Sequence, residues 1–282
     1  MDKGVYRFQV GAFECIVVND GTVNSEQSPY DLFPNAPQVL MEQMFGERAA
    51  QSGMMISYNC LVVKTDERLL LVDTGWGTNS RPNTGELLQN LRAAGIQPGE
   101  IDTVIITHGD GDHIGGVASD DGTPTFPNAR YVMWRAAWEY STSKAHLAQL
   151  DEEMAASVRS RLLPLRERID LIDEETDLLP GVRVVPSLGH RPGHTALVVS
   201  SNGEQLLCVA DALVHPFQLE HPDWHPVFDS VFEQAATTRR RLLEWAAEEN
   251  MLLHAYHILF PGLGHVVPEG ETWRWRPVKR KT

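Results

Sequence analysis

Val104-Ile105-Ile106-Thr107-His108-Gly109-Asp110-Gly111-Asp112-His113-Ile114-Gly115-Gly116 is the stretch on which the reading of this chain turns. Its first three residues form a short, wholly apolar strand of the kind buried on both faces of a sheet. Four potential metal ligands, His108, Asp110, Asp112 and His113, follow within six residues, alternating with glycines that permit unusual backbone angles and close approach. They stand just past the C-terminal end of the strand, where α/β sheets place their sites. Imidazole with carboxylate is the donor set of catalytic zinc, iron or manganese, not of structural thiolate zinc. A Gly/Asp-rich turn with two incidental histidines would look the same in isolation. The later histidines argue against that, because they complete a site.

Histidine is the outlier of the composition. The 282 residues hold eleven, all at or after His108, and only His146 lies in the middle helical stretch. The rest of the composition excludes rather than identifies. Lys plus Arg is 24 against 38 Asp plus Glu, a formal net charge of −14. So acidic a chain is not expected to bind nucleic acid or an anionic membrane surface. No apolar run approaches the roughly 18 residues of a membrane span, and Met1-Asp2-Lys3-Gly4-Val5-Tyr6 lacks the regions of a signal peptide. Cys15, Cys60 and Cys208 are odd in number and set among apolar neighbours, so they read as reduced core residues of a cytoplasmic protein.

Strands are expected at Tyr6–Val10, Phe13–Val18, Cys60–Val63, Leu69–Val72, Val104–Ile106 and Arg130–Met133, then at 182–186, 195–200 and 205–209. Residues 29–55 lack periodicity and read as a long, partly ordered loop. Thr84 offers an N-cap to a helix carrying Leu87, Leu88, Leu91 and Ala94, stopped by Gly95. A helical insert runs from about 135 to 170 with a break at Pro164, and Glu233–Glu249 reads as a further helix. Strands alternating with helices and no linker give one layered α/β domain over residues 1–282.

Five ordered segments resemble the metallo-β-lactamase superfamily. The 108–113 run resembles its His-x-His-x-Asp-His signature, and Leu70-Leu71-Val72-Asp73-Thr74-Gly75 its strand ending in Asp-Thr-Gly. Ser187-Leu188-Gly189-His190-Arg191-Pro192-Gly193-His194-Thr195 resembles its Thr-Pro-Gly-His-Thr-Pro-Gly-His turn. Cys208-Val209-Ala210-Asp211 resembles the strand that ends in a metal-bridging Asp. His257-Ile258-Leu259-Phe260-Pro261-Gly262-Leu263-Gly264-His265 is similar to the last-ligand segment of the branch with N-acyl-homoserine lactonases and methyl parathion hydrolase.

The resemblance implies an αββα sandwich and two divalent ions, zinc first among them. One would be held by His108 and His190 with Asp110 third, the other by Asp112, His113 and His257, with Asp211 bridging. Asp112 and Asp211 are then the expected catalytic carboxylates, and a metal-bound hydroxide the nucleophile. Asp110 departs from the family's usual histidine. It can ligate directly and favour iron or manganese, reach the metal through water, or leave that half weak.

The resemblance further implies hydrolysis of an ester-like bond of a small molecule, a lactone first. Phosphotriesters, aryl esters and thioesters are the alternatives within the class; a non-haem iron enzyme using oxygen and a non-catalytic binder are those outside it. His194 is expected to support the metals and Asp73 to stand behind them. His215 and His265 are expected near the substrate, with Met54, Met55, Phe45 and Phe217 as possible pocket walls. His221, Trp224 and His225 leave two readings open, contact of one of them with substrate or packing under a loop; His254 reads as core, and the Arg239-Arg240-Arg241 run as a solvated face. Trp273 and Trp275, near the basic Lys279-Arg280-Lys281 end, are expected on the domain or at a homodimer contact.

Overall fold

The computed structural model describes residues 4–46, 52–77 and 81–279. Arg280, Lys281 and the first three residues, which entered the readings of the two ends, lie outside the described residues, as does 47–51 of the expected loop. The described chain forms two seven-stranded sheets. The first comprises β1 (Val5–Val10), β2 (Phe13–Asn24), β3 (Met55–Lys64), β4 (Leu69–Val72), β5 (Thr103–Ile106), β6 (Arg130–Trp134) and β7 (Ile169–Ile172), side by side in chain order. The second comprises β8 (Thr176–Leu179), β9 (Val182–Pro186), β10 (Thr195–Ser201), β11 (Glu204–Cys208), β12 (Leu252–His254), β13 (Leu263–Glu269) and β14 (Thr272–Pro277), also in order.

Each sheet is buried on both faces, and strand alternation divides the residues between them. Leu61, Val63, Leu70, Val72 and Ile105 point inward against Val184, Leu197, Val199, Leu206 and Cys208 of the opposite sheet. Cys60, Val62, Leu71, Val104 and Ile106 face the other way. They pack against a helix at Leu87–Ala93 and one at Glu152–Leu162, through Leu87, Leu91, Val158 and Leu162. On the far side Val198, Leu207 and Leu253 meet Leu242, Leu243 and Ala246 of the helix Phe232–Glu248. The layers are therefore helix, sheet, sheet, helix, the αββα sandwich. Truncating a fully buried leucine in these layers, such as Leu71, costs about 2–5 kcal/mol.

Strands β4 to β7 are mutually parallel, and so are β11 and β12; the remaining pairs are antiparallel. Parallel strands send their C-terminal ends to one side. The segments after β4, β5, β11 and β12 accordingly converge at one end of the sandwich.

Several local expectations change. Residues 29–45 hold two helices, α1 (Pro29–Leu32) and α2 (Gln38–Phe45), where a loop was expected. A capping box forms α1: the Asp31 amide donates to Ser28 Oγ and the Ser28 amide to Asp31 Oδ2, with Pro29 in the first turn. Thr84 does not cap the next helix, α3 (Leu87–Ala93); its hydroxyl donates to the Arg81 carbonyl. The buried carboxylate of Asp20 does that work, accepting from the amides of Gly85 and Leu87.

The ligand run itself turns into a short helix, α4 (Gly111–Ile114). The helical insert is broken into α5 (Arg135–Thr142), α6 (Lys144–Leu147) and α7 (Glu152–Leu162), with Pro164 in a following 3-10 turn. Ser143 and Asp151 cap the second and third, and so mark the breaks. After α8 (Phe217–Glu220), the long helix α9 (Phe232–Glu248) lies one residue before its expected bounds. No described helix is long and apolar enough to cross a membrane.

Candidate metal centre

Four loops bring seven side chains to the convergent end. After β5 come His108, Asp110, Asp112 and His113, and the β9–β10 turn supplies His190. A 3-10 turn after β11 supplies Asp211, and the segment after β12 supplies His257. The approach is tight: a Cβ added at Gly193, whose φ is +71°, would stand 2.3 Å from the Ala137 amide of α5. Two residues that are not glycine also take positive φ here, Asp73 at 58° and Ala210 at 44°. Strain of that kind persists where the surrounding structure over-determines it.

Asp211 is the hub. Its Oδ1 lies 3.1 Å from His113 Nε2, and its Oδ2 lies 3.1, 3.5 and 3.9 Å from Nε2 of His257, His190 and His108. Asp110 Oδ2 stands 3.7 and 3.6 Å from Nε2 of His108 and His190. Asp112 Oδ2 stands 3.6 and 3.5 Å from Nε2 of His113 and His257. Donors about 2.0–2.1 Å from a tetrahedral zinc ion are ~3.3–3.4 Å apart, close to these spacings. Three overlapping groups of ligand atoms result: His108/Asp110/His190, His108/His113/Asp211 and Asp112/His113/His257.

The imidazoles are turned for ligation by hydrogen bonds at their backs. His113 Nδ1 donates to Asp73 Oδ2 at 2.8 Å, His190 Nδ1 to Asp229 Oδ1 at 3.0 Å, and His257 Nδ1 to the Ser57 carbonyl at 3.2 Å. Thr107 donates its hydroxyl to Asp73 Oδ2, which leaves its oxygen to accept from His108 Nδ1 at 3.1 Å. With every Nδ1 protonated, each Nε2 presents a lone pair inward. The Nε2 atoms of His108, His113 and His190 and Asp211 Oδ1 are buried without a hydrogen-bond partner. Such atoms are costly unless something binds them.

The electrostatics ask for cations. Burial opposes charge on every group, yet the Asp211, Asp112 and Asp73 carboxylates raise His113 well above its ordinary value. The nearby Asp110 carboxylate, the hydrogen bond to Asp229 and the charge of Asp211 raise His190 to about 9. His257 and His113 in turn hold Asp211 well below the carboxylate range, against its burial. The carboxylates need positive charge among them, which protons or metal ions can supply. The donor set fits two divalent ions.

His194 stands apart. Its Nδ1 donates to the Ser187 carbonyl at 2.7 Å and its Nε2 accepts from the Asp211 amide at 3.2 Å, so neither nitrogen is left for a metal. Burial pushes it down to about 4, in keeping with a neutral ring. Asp73 lies behind the centre, as expected of it.

Of the remaining expectations, those for His265 and His215 change, while His254 is a core residue as expected. His265 lies on β13 opposite Leu252 and Arg276, at the end of β12 away from His257, so it does not reach the centre. His215 packs its ring on Phe217 and Phe45, 4.3 and 5.5 Å between centroids, within an aromatic cluster, and its Nδ1 accepts the Phe217 amide. Met54, Phe45 and Phe217 join that cluster, while Met55 is exposed. His221 stacks on Trp224 and His225 on Phe232, and His254 is buried beside Cys208. Trp273 and Trp275 pack on the α9 side of the second sheet.

Arg239 is the clearest reversal. It is 1% exposed, donating to Asp229 and to the carbonyls of Ala212, Pro222 and Trp224. Asp229, Arg191 and Tyr256 had not been singled out. Tyr256 packs on the His113 ring, 4.2 Å between centroids, and donates to the Asp112 carbonyl at 2.7 Å, tying two ligand segments together. The helical phase of Arg239 with Ala235, Leu242 and Ala246 was the available signal for its burial. Nothing local marks Asp229.

Comparison with known proteins agrees with this geometry. The family described as the metallo-beta-lactamase superfamily matches residues 56–268. The chain belongs to that superfamily and is a metal-dependent hydrolase. An N-acyl homoserine lactonase from a Bacillus species is 26% identical over 219 residues, covering 70% of this chain and 80% of that protein. Among solved structures, AidC, a dizinc quorum-quenching lactonase in complex with a product, superposes with a TM-score of 0.91 at 25% identity, over 99% of both chains. AbOPH, a hydrolase of the beta-lactamase superfamily, gives 0.90 at 26% identity over the whole of both.

Proposed function

We propose that the protein hydrolyses lactones of small molecules at a centre of two divalent ions, zinc by preference. The observation that carries the reading is the end-to-end correspondence with AidC, a lactonase with two zinc ions. When bound, two such ions lower the pKa of water towards neutrality and polarise a carbonyl oxygen. His108, Asp110 and His190 would hold one ion and Asp112, His113 and His257 the other, with Asp211 between them. Asp73, Asp229, Thr107 and the Ser57 carbonyl fix the imidazole orientations from behind.

Ring opening joins the oxygen of water to the carbonyl carbon, breaks the ring C–O bond and leaves an alkoxide that needs a proton. Asp112 is the carboxylate assigned to that transfer. It lies at the entrance to α4 and is more exposed than Asp211, with side-chain exposures of 16% and 5%. Burial of the four imidazoles excludes bulk water from behind the centre.

The test is a panel of lactones, aryl esters, phosphotriesters and thioesters, run on protein loaded with zinc, manganese, iron or cobalt. Lactones should give the highest kcat/KM. A higher value for phosphotriesters or thioesters would reassign the substrate class. Stoichiometric iron with oxygen consumption would overturn hydrolysis itself.

A further inference from the structure

We propose that Arg191 makes the two halves of the centre unequal, by neutralising Asp110 so that the His108/Asp110/His190 half holds its ion weakly and fills last. The inference rests on the two-ion reading above.

Both members of the pair stand where the family pattern has something else. Asp110 replaces the usual histidine, and Arg191 follows His190 where the turn usually carries threonine. In the structure the two are joined. Arg191 Nε donates to Asp110 Oδ1 at 2.9 Å and a terminal nitrogen reaches Oδ2 at 2.8 Å, the forked geometry that only a guanidinium offers. The other terminal nitrogen donates to the Phe228 carbonyl and lies 3.2 Å from the His190 carbonyl oxygen and 3.4 Å from Ser230 Oγ. All three nitrogens of the guanidinium are thus committed to protein acceptors, so it is not poised to take an anionic substrate.

The Asp110 oxygen that faces the imidazoles is itself paired with Arg191. Asp110 Oδ2 accepts from the guanidinium at 2.8 Å and stands 3.7 and 3.6 Å from His108 and His190. An ion there would share its only private carboxylate with a fixed positive charge and feel that charge across a few ångströms of mostly buried protein. The opposite half differs. Asp112 Oδ2 faces the imidazoles of His113 and His257, and no ion pair joins it to a lysine or arginine among the described residues. The bridging Asp211 serves both halves, so the contrast falls on Asp110 against Asp112.

The test is a titration of the metal-free full-length protein with Zn²⁺ against a chromogenic chelator, repeated with Co²⁺ by its visible absorption. The parent should take two ions in separate steps, the second about 10-fold or more weaker. Arg191→Gln should tighten the second step by about 10-fold, Arg191→Lys should leave it near the parent value because the charge remains, and Asp110→Asn should abolish it. The first step should stay constant in all three, which also reports that each variant is folded. Two equal steps in the parent, a weaker second step in Arg191→Gln, or Arg191→Lys behaving like Arg191→Gln would overturn the inference alone. A chain that takes up no zinc in either step overturns it together with the metal centre.

Discussion

Asp73 Oδ2 lies 2.8 Å from His113 Nδ1, and the same carboxylate accepts both the amide and the hydroxyl of Thr107. One buried side chain at the end of β4 thereby sets the ring of a ligand on the next loop and anchors the residue that holds His108. Partners of this type typically contribute 10–100-fold to metal affinity. Asp73→Asn should therefore weaken zinc binding by about that factor while the chain stays folded. Competition against a chelator, with circular dichroism on the same sample, measures it; unchanged affinity would remove Asp73 from the account.

Asp211 faces four imidazoles and is the one carboxylate shared by both halves. Asp211→Ala should bring metal content from two equivalents to one or fewer and remove hydrolysis. Metal analysis after gel filtration reads this directly, and an active variant with two ions would refute the shared role.

Arg239 is buried against the Asp229 carboxylate, whose other oxygen holds His190. Removing one partner of a buried pair costs about 3–5 kcal/mol, because the other charge is left uncompensated. Arg239→Met should lower the free energy of unfolding by that amount, read from urea denaturation. Arg239→Lys should recover less than half, since a single ammonium cannot meet Asp229 and three carbonyls together.

Acid sensitivity should come partly from two histidines away from the ligands. Burial pushes His215 and His254 down to about 3, against about 6.5 in an unfolded chain. Below pH 6.5 the unfolded state binds protons that the folded state refuses. Stability therefore falls with acidity from about pH 6.5 to about pH 3, by about 1 kcal/mol per pH unit for each residue. His215→Phe and His254→Gln should each flatten the stability–pH slope between pH 6 and 4 by that amount, in metal-free protein unfolded by urea. An unaltered slope would mean that these rings find protons in the fold.

The strands Leu69–Val72 and 182–186 could be read from the sequence to the residue: the first is a continuous apolar run, and the second is apolar around the single exposed Arg183. The ligand run was legible because its chemistry is local: four donors and four glycines within nine residues. What could not be read depends on distant partners. Asp20 caps a helix 67 residues away, Arg239 is buried because Asp229 and three carbonyls meet it, and Asp110 is paired by Arg191 across 81 residues. His265 looked close to the centre by proximity in sequence to His257. The antiparallel return of β13 carries it to the other end of β12.

The most direct test is lactone hydrolysis, followed by proton release, as zinc is added back to metal-free protein with the metal content of each sample measured in parallel. The account predicts negligible turnover without metal and full activity only as the second equivalent binds. Lactone turnover in metal-free protein, or none with two zinc ions bound, would contradict it.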